Sequence, residues 1–250
     1  MKRIYLDPAD CEKDGNNIYI KGSSSHYLIN VLRMKDGDVF VGFDGSGYEY
    51  EIVISSINKR ALCGTIIKTE QAVEIESTFN IVLFQSLPKG HKFDQIISDV
   101  AQLGVQKIYP VVSSRVIPHI IGEDVAHKKT RWKRIAGEAS KVAGRRVVMD
   151  IEDPIKFKDA LKVPSDIKII FWEKSTTPLK MFFHNITKLK QATSINIFVG
   201  PEGGYTDEEV SLAAKYGISN VSMGKRIIRV ETASVIAIAL VIYEMENLED

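Results

Sequence analysis

Two short strands, each ending in glycine and each running into a helix, lie within Ile195–Tyr243 and limit what this chain can fold into more than any other feature. The first, Ile195–Val199, is an apolar run of the kind that a parallel sheet buries on both faces. It stops at Gly200-Pro201-Glu202-Gly203-Gly204, where the backbone can leave strand geometry and turn N–H groups toward a ligand. Thr206 and Glu209 then form a T-x-x-E capping box for a helix that ends at Gly217. The second strand, near Asn220–Met223, ends at Gly224. Lys225, Arg226 and Arg229 follow, then Glu231-Thr232 and an apolar helix, Ala233–Tyr243. In an open α/β sheet both glycine turns would sit at the carboxyl edge of the strands, where such folds bind ligands. That edge is the predicted active site.

The chain ahead of this segment changes character once. Up to about residue 70 it reads as short strands, Ile18–Lys21, Val39–Phe43, Tyr48–Ile54 and Leu62–Lys68. Asp44-Gly45-Ser46-Gly47 is a hairpin loop, and Ser23-Ser24-Ser25 caps a single short helix carrying Leu28, Val31 and Leu32. This pattern predicts a small barrel. A polar stretch near Glu70–Thr78 is the natural linker. From Phe79 onward strands (Asn80–Ser86, Lys107–Val112, Lys168–Trp172) alternate with helices (Asp94–Leu103, Val125–Ala143, Leu179–Leu189), the signature of a largely parallel α/β sheet. The expected domains are residues 1–72 and 73–250.

Net charge is +1, so any nucleic-acid footprint must be local. It is concentrated in the middle helix. Between His127 and Arg146 stand Lys128, Lys129, Arg131, Lys133, Arg134, Lys141, Arg145 and Arg146 against one acid, Glu138. Trp132, Ile135, Ala136, Ala139 and Val142 form the apolar stripe of that helix and leave a basic face outward. Such a face is either solvated or a phosphate-contacting surface, and this concentration favours the second.

Other chemistry is excluded or disfavoured. There is no G-x-x-x-x-G-K-[ST] loop, no G-x-S-x-G elbow, and no paired spacing among His26, His91, His119, His127 and His184, so no metal is expected. Cys11 and Cys63 form no C-x-x-C and read as reduced thiols. No apolar run reaches the ~20 residues that span a bilayer, and no signal-peptide core follows Met1-Lys2-Arg3. A cytoplasmic protein with no membrane partner is expected.

The glycine turn together with Gly224-Lys225-Arg226-Ile227-Ile228-Arg229-Val230-Glu231-Thr232 resembles the signature of the RsmE family, SPOUT-class enzymes that methylate N3 of a uridine in small-subunit (16S) ribosomal RNA. The resemblance covers most of the chain. His26-Tyr27-Leu28, Val31-Leu32-Arg33 and Gly37-Asp38 are similar to the family's PUA-like RNA-binding barrel. Leu87-Pro88-Lys89-Gly90 and Leu103-Gly104-Val105 match the opening of its catalytic domain, and Arg131-Trp132, Glu138-Ala139 and Arg145 fall in its middle helix. The chain departs from the family pattern at Asp99, Gln102, Val142-Ala143, Lys225 and Val230.

The resemblance implies a SPOUT α/β domain with a C-terminal trefoil knot and S-adenosylmethionine as cofactor. Cofactor contacts are expected from Leu87, Val199, Gly200, Glu202, Gly203, Met223, Gly224, Ile228 and Thr232. Arg229 would stabilise negative charge on the uracil oxygens, and Glu231 would orient that arginine or help remove the N3 proton. Arg3, His26, Arg33, Lys128, Arg131, Arg134 and Arg145 are the expected contacts to ribosomal RNA or the small subunit. A homodimer through the knot region is implied, in keeping with the nonpolar helix Ala233–Tyr243. The rival readings are a SPOUT methyltransferase of another RNA and a non-catalytic RNA-binding factor of the same fold.

Overall fold

Alternation of buried and exposed side chains shapes the N-terminal strands. The structure is a computed structural model and describes residues 1–58, 60–71, 79–116, 124–186 and 192–246. β1 (Lys2–Tyr5), β2 (Cys11–Asp14) and β3 (Asn17–Ile20) precede a short helix, α1 (Gly22–His26), which continues as one wider turn over Tyr27–Val31. β4 (Val39–Phe43), β5 (Tyr48–Ile57) and β6 (Leu62–Gln71) complete a six-stranded sheet in the order β1-β4-β5-β6-β3-β2. Only the β1–β4 pair is parallel. Laid flat, edges five spacings apart would be separated by about 24 Å. Instead Ile4 of one edge strand shares a core with Cys11 of the other, and with Ile18, Ile20, Leu28, Phe40, Ile52 and Leu62, so the sheet closes around one interior. Both thiols are free and half-buried, and burial pushes that of Cys11 up to about 12.

The second sheet is parallel throughout. β7 (Asn80–Ser86) leads to α2 (Lys92–Gln102), β8 (Lys107–Val112) and α3 (Asp124–Val142). Two short strands, β9 (Asp150–Ile151) and β10 (Ile155–Lys156), both pair with β8 and lead to α4 (Phe157–Ala160). β11 (Ile167–Phe171), α5 (Leu179–His184), β12 (Ser194–Val199), α6 (Asp207–Lys215), β13 (Ser219–Val221) and α7 (Val230–Glu246) follow. The strand order is β10-β8-β7-β12-β11-β13, with β9 beside β8. β7 and β12 sit mid-sheet and are buried almost end to end, as their continuous apolar runs require. Phe84, Phe157, Ile170, Phe198, Tyr205 and Val210 share a core on one side. α7 packs against α2 and β12.

Register decides where the site lies. Gln85, Val199, Phe171 and Val221 form one row across β7, β12, β11 and β13. Because the strands are parallel, the loops that follow this row all emerge at one edge of the sheet. The chain also returns there: β13 lies at the end of the sheet, and residues 222–229 carry it back to α7, which lies against β12.

Two compact units result, one of Met1–Glu76 with Gly137–Val148, the other of Ser77–Ala136 with Met149–Asp250. The expected boundary between residues 72 and 73 falls outside the described residues, and the division observed also cuts α3 between Ala136 and Gly137. The reason is packing: Gly137 lies so close to the Tyr5 ring that a Cβ there would meet it at 2.3 Å. Among the described residues, no helix is long and apolar enough to cross a membrane.

Candidate active site

Beyond the aligned row lies a cavity of about 480 Å³, within the size range of small-molecule sites. Three chain segments wall it. The first is the glycine turn with the end of β12, Val199–Gly204. The second is Ser222–Gly224 with Arg226–Val230. The third, Phe171-Trp172-Glu173, ends the strand that the sheet order places between the other two. Lys92 and Ala233 complete the lining.

The glycines are required by close approach. Gly204 has φ +67°, and a Cβ there would lie 2.7 Å from the Glu173 carboxylate. A Cβ on Gly200 would meet the Gly204 backbone at 3.2 Å. The turn is then pinned from three sides. Arg115, just past β8, donates to the Gly203 carbonyl. Lys92 Nζ and the Lys89 N–H donate to Glu202 Oε1 at 2.8 and 3.1 Å. Burial alone would raise the Glu202 pKa, but these hydrogen bonds outweigh it and hold the carboxyl below its ordinary range. Glu202 in turn raises the pKa of Lys92.

On the third side, Gln85 is wholly buried at the end of β7. Its Nε2 donates to the Ser86 carbonyl at 3.0 Å, with longer contacts to Gly200 and Val199 carbonyls at 3.4 and 3.5 Å. Its Oε1 accepts from Ser234 Oγ of α7 at 2.6 Å. One amide therefore links β7, the glycine turn and the helix that follows the arginine loop.

The capping box at α6 forms as expected. Thr206 Oγ1 accepts from the Glu209 N–H at 3.2 Å, and Glu209 Oε2 from the Thr206 N–H at 2.9 Å. The second Glu209 oxygen accepts from the Ser114 N–H at 2.8 Å, which ties the loop after β8 to α6.

The structure thus brings Val199, Gly200, Glu202, Gly203, Met223, Gly224, Ile228 and Arg229 together around one cavity. Three expected residues lie apart from its lining. Leu87 is buried, its N–H donating to the Val111 carbonyl at 3.0 Å. Thr232 is exposed in the first turn of α7. Glu231 is half-buried in the same turn, and its Oε2 is buried without a hydrogen-bond partner among the described residues. Arg115, Gln85 and Phe171–Glu173 went unread in the sequence. The polar triplet Ser113-Ser114-Arg115 closing an apolar strand was the available signal for the first of these.

Two expected RNA contacts, both in the N-terminal unit, are held within the protein in this structure. Arg3 is half-buried: it pairs with Glu49, donates to the Lys141 and Arg145 carbonyls, and covers the Phe43 ring at 3.9 Å. Arg145 is 2% exposed. The Arg3 guanidinium is filled by these partners with its side chain still partly exposed, whereas Arg145 is almost wholly buried. His26 and Arg33 are exposed, Arg33 with φ 54°.

The basic helix is also less free than its charge suggests. Lys129 pairs with Asp153 at 2.7 Å, Arg131 with Asp94 at 2.6 Å and Lys141 with Glu138 at 3.3 Å. Just past the helix, Arg146 pairs with Glu49 at 3.0 Å. Asp94 also accepts from the buried Trp132 indole at 3.0 Å, and that ring stands edge-on to Phe93. Lys128 is half-buried. Lys133 and Arg134 are exposed and have no ion-pair partner among the described residues.

A closed N-terminal barrel ahead of a parallel sheet with a glycine-walled cavity defines the class. Family models described as an RNA methyltransferase PUA domain and an RNA methyltransferase domain match residues 20–67 and 75–242. Among curated relatives, ribosomal RNA small subunit methyltransferase E of Buchnera aphidicola (subsp. Acyrthosiphon pisum) is 31% identical over 95% of this chain and 91% of its own length. The enzyme of that name from Bacillus subtilis is 28% identical over 99% and 98%. A crystal structure of ribosomal RNA small subunit methyltransferase E from Neisseria gonorrhoeae, bound to S-adenosyl methionine, superposes with a TM-score of 0.82 at 30% identity over 99% and 98% of the two chains. The chain belongs to the ribosomal RNA small subunit methyltransferase E family.

Proposed function

We propose that this protein transfers the methyl group of S-adenosylmethionine to N3 of a uridine in small-subunit ribosomal RNA. The observation that carries the reading is the cavity itself, two glycine loops and a third strand end around an open space, with Arg229 at the rim. The residues present suit such a cofactor. Apolar Val199, Met223, Ile228 and Phe171 can flank an adenine, while Gly200, Gly203, Gly204 and Gly224 admit close backbone contact. The Glu173 and Glu202 carboxylates offer acceptors for hydroxyl or cationic groups.

When bound, the cofactor supplies an electrophilic methyl group on sulfur. The protein's part is positioning and charge. Uracil N3 must lose its proton, which leaves negative charge on the flanking carbonyl oxygens. Arg229, exposed at the cavity and without a partner among the described residues, stabilises that charge. Glu231 lies two residues on, with one buried oxygen unpartnered, and would have to turn toward the cavity to orient Arg229 or to take the proton.

The C-terminal return of residues 222–229 to α7 supports a trefoil knot, and the exposed Leu240 and Tyr243 on α7 support a homodimer through that helix. Sedimentation at micromolar concentration should give a dimer, and a monomer would count against it. The function is tested by titration calorimetry with S-adenosylmethionine. Saturable binding of one cofactor per chain is expected; absence of binding would reject the methyltransferase reading.

A further inference from the structure

The arginine loop carries an apolar side chain that the fold does not cover. Ile227 is 93% exposed, yet it belongs to the cavity rim. Lys225, Arg226 and Arg229 around it are exposed too, and their side chains make no hydrogen bond or ion pair among the described residues. No acid occurs from Ser222 to Val230. A partner that covers Ile227 and meets these cations brings negative charge and an apolar surface together. An unpaired nucleotide strand does so, since its bases offer faces and its phosphates offer charge. A base-paired strand does not, because its faces are stacked and N3 of uracil lies on the pairing edge. Apolar side chains that wedge against base steps are a known device for opening nucleic acid.

We infer that Ile227 packs against a base face of the RNA strand at the cavity mouth, holding it unpaired, while Lys225 and Arg226 hold the neighbouring phosphates. This rests on the methyltransferase reading above.

The test compares wild-type protein with Ile227→Ala and Ile227→Leu at one fixed salt concentration. The alanine variant should keep S-adenosylmethionine affinity by calorimetry within about twofold, since so little of the side chain lies against the fold. It should bind single-stranded polyuridylate about tenfold more weakly, the order expected from losing one covered aliphatic side chain. Its kcat/KM on small-subunit RNA should fall by a similar factor, and leucine should restore most of both losses. Affinity for duplex RNA should not change. The inference is overturned if wild-type protein does not prefer the single strand, if alanine weakens single strand and duplex alike, or if it leaves both RNA readouts unchanged. It is also overturned if sedimentation shows that alanine changes the assembly, because Ile227 would then cover a second copy of the chain. Loss of cofactor affinity in the alanine variant would make Ile227 part of the cofactor wall instead. Failure of the wild-type protein to bind S-adenosylmethionine would remove the reading beneath it.

Discussion

In the N-terminal unit Arg3 and Arg146 converge on Glu49, and Arg3 also holds two backbone carbonyls. In the C-terminal unit Arg226 and Arg229 stand at a cavity with no partner among the described residues. Residue type is the same and the consequence is opposite. A half-buried guanidinium with its fork filled fixes backbone segments to one another, and removing it leaves acceptors unmet. An exposed one keeps its hydration and is free to meet a charge that arrives or develops later. The comparison separates cations that hold the fold from cations that await a ligand.

The largest expected effect tests the second group. Arg229→Ala should lower turnover by about 10²–10³-fold, the range for removing one donor to a developing oxyanion, and leave cofactor affinity nearly intact. Turnover at the wild-type rate would remove Arg229 from the mechanism. Arg3→Ala tests the first group. It should cost about 1.5–3 kcal/mol of stability, as for hydrogen bonds to a charged group, visible as a lower denaturant midpoint, without altering RNA affinity in the folded protein. Should RNA binding weaken while the midpoint stays put, the distinction between the two groups collapses.

Lys133 and Arg134 resemble the cavity cations more than the barrel ones, since both are exposed and without an ion-pair partner among the described residues. Replacing both by alanine should reduce the slope of log affinity against log salt by about 1.5–2 on structured RNA, at roughly 0.9 for each phosphate no longer neutralised. An unchanged slope would make that face merely solvated. The smallest effect concerns Glu202, whose folded pKa is lowered. The stability it contributes is present above the ordinary carboxylate range near pH ~4 and is lost as pH falls through the folded value. Glu202→Gln should therefore flatten the acid limb of the stability profile, and an identical acid limb would show that the Lys92 pair adds nothing.

Much of this was legible in sequence, for local reasons. Val39–Phe43, Asn80–Ser86 and Lys107–Val112 are strands with the expected bounds because apolar runs of that length have few alternatives. The capping box is set by residues three apart. β1 and β2 went unread because edge strands such as Cys11–Asp14 are mostly exposed and carry no apolar alternation. The third cavity wall, Phe171–Glu173, depends on β11 lying between β12 and β13, a pairing no local pattern encodes. The burial of Arg3 and Arg145 is hidden from local pattern for the same kind of reason. Whether an arginine faces water or fills a gap depends on neighbours distant in sequence, as with Glu49, 46 residues from Arg3.

Methyl transfer to a uridine of small-subunit RNA at this cavity can be observed in a single reaction. The most direct measurement incubates the protein with S-adenosylmethionine carrying a labelled methyl group and small-subunit ribosomal RNA that lacks the modification, then resolves the digested nucleosides by mass spectrometry. The label is expected in N3-methyluridine, at one site per RNA, and to appear about 10²–10³-fold more slowly with Arg229→Ala. Label at another base position, or none with wild-type protein that binds the cofactor, would contradict this assignment.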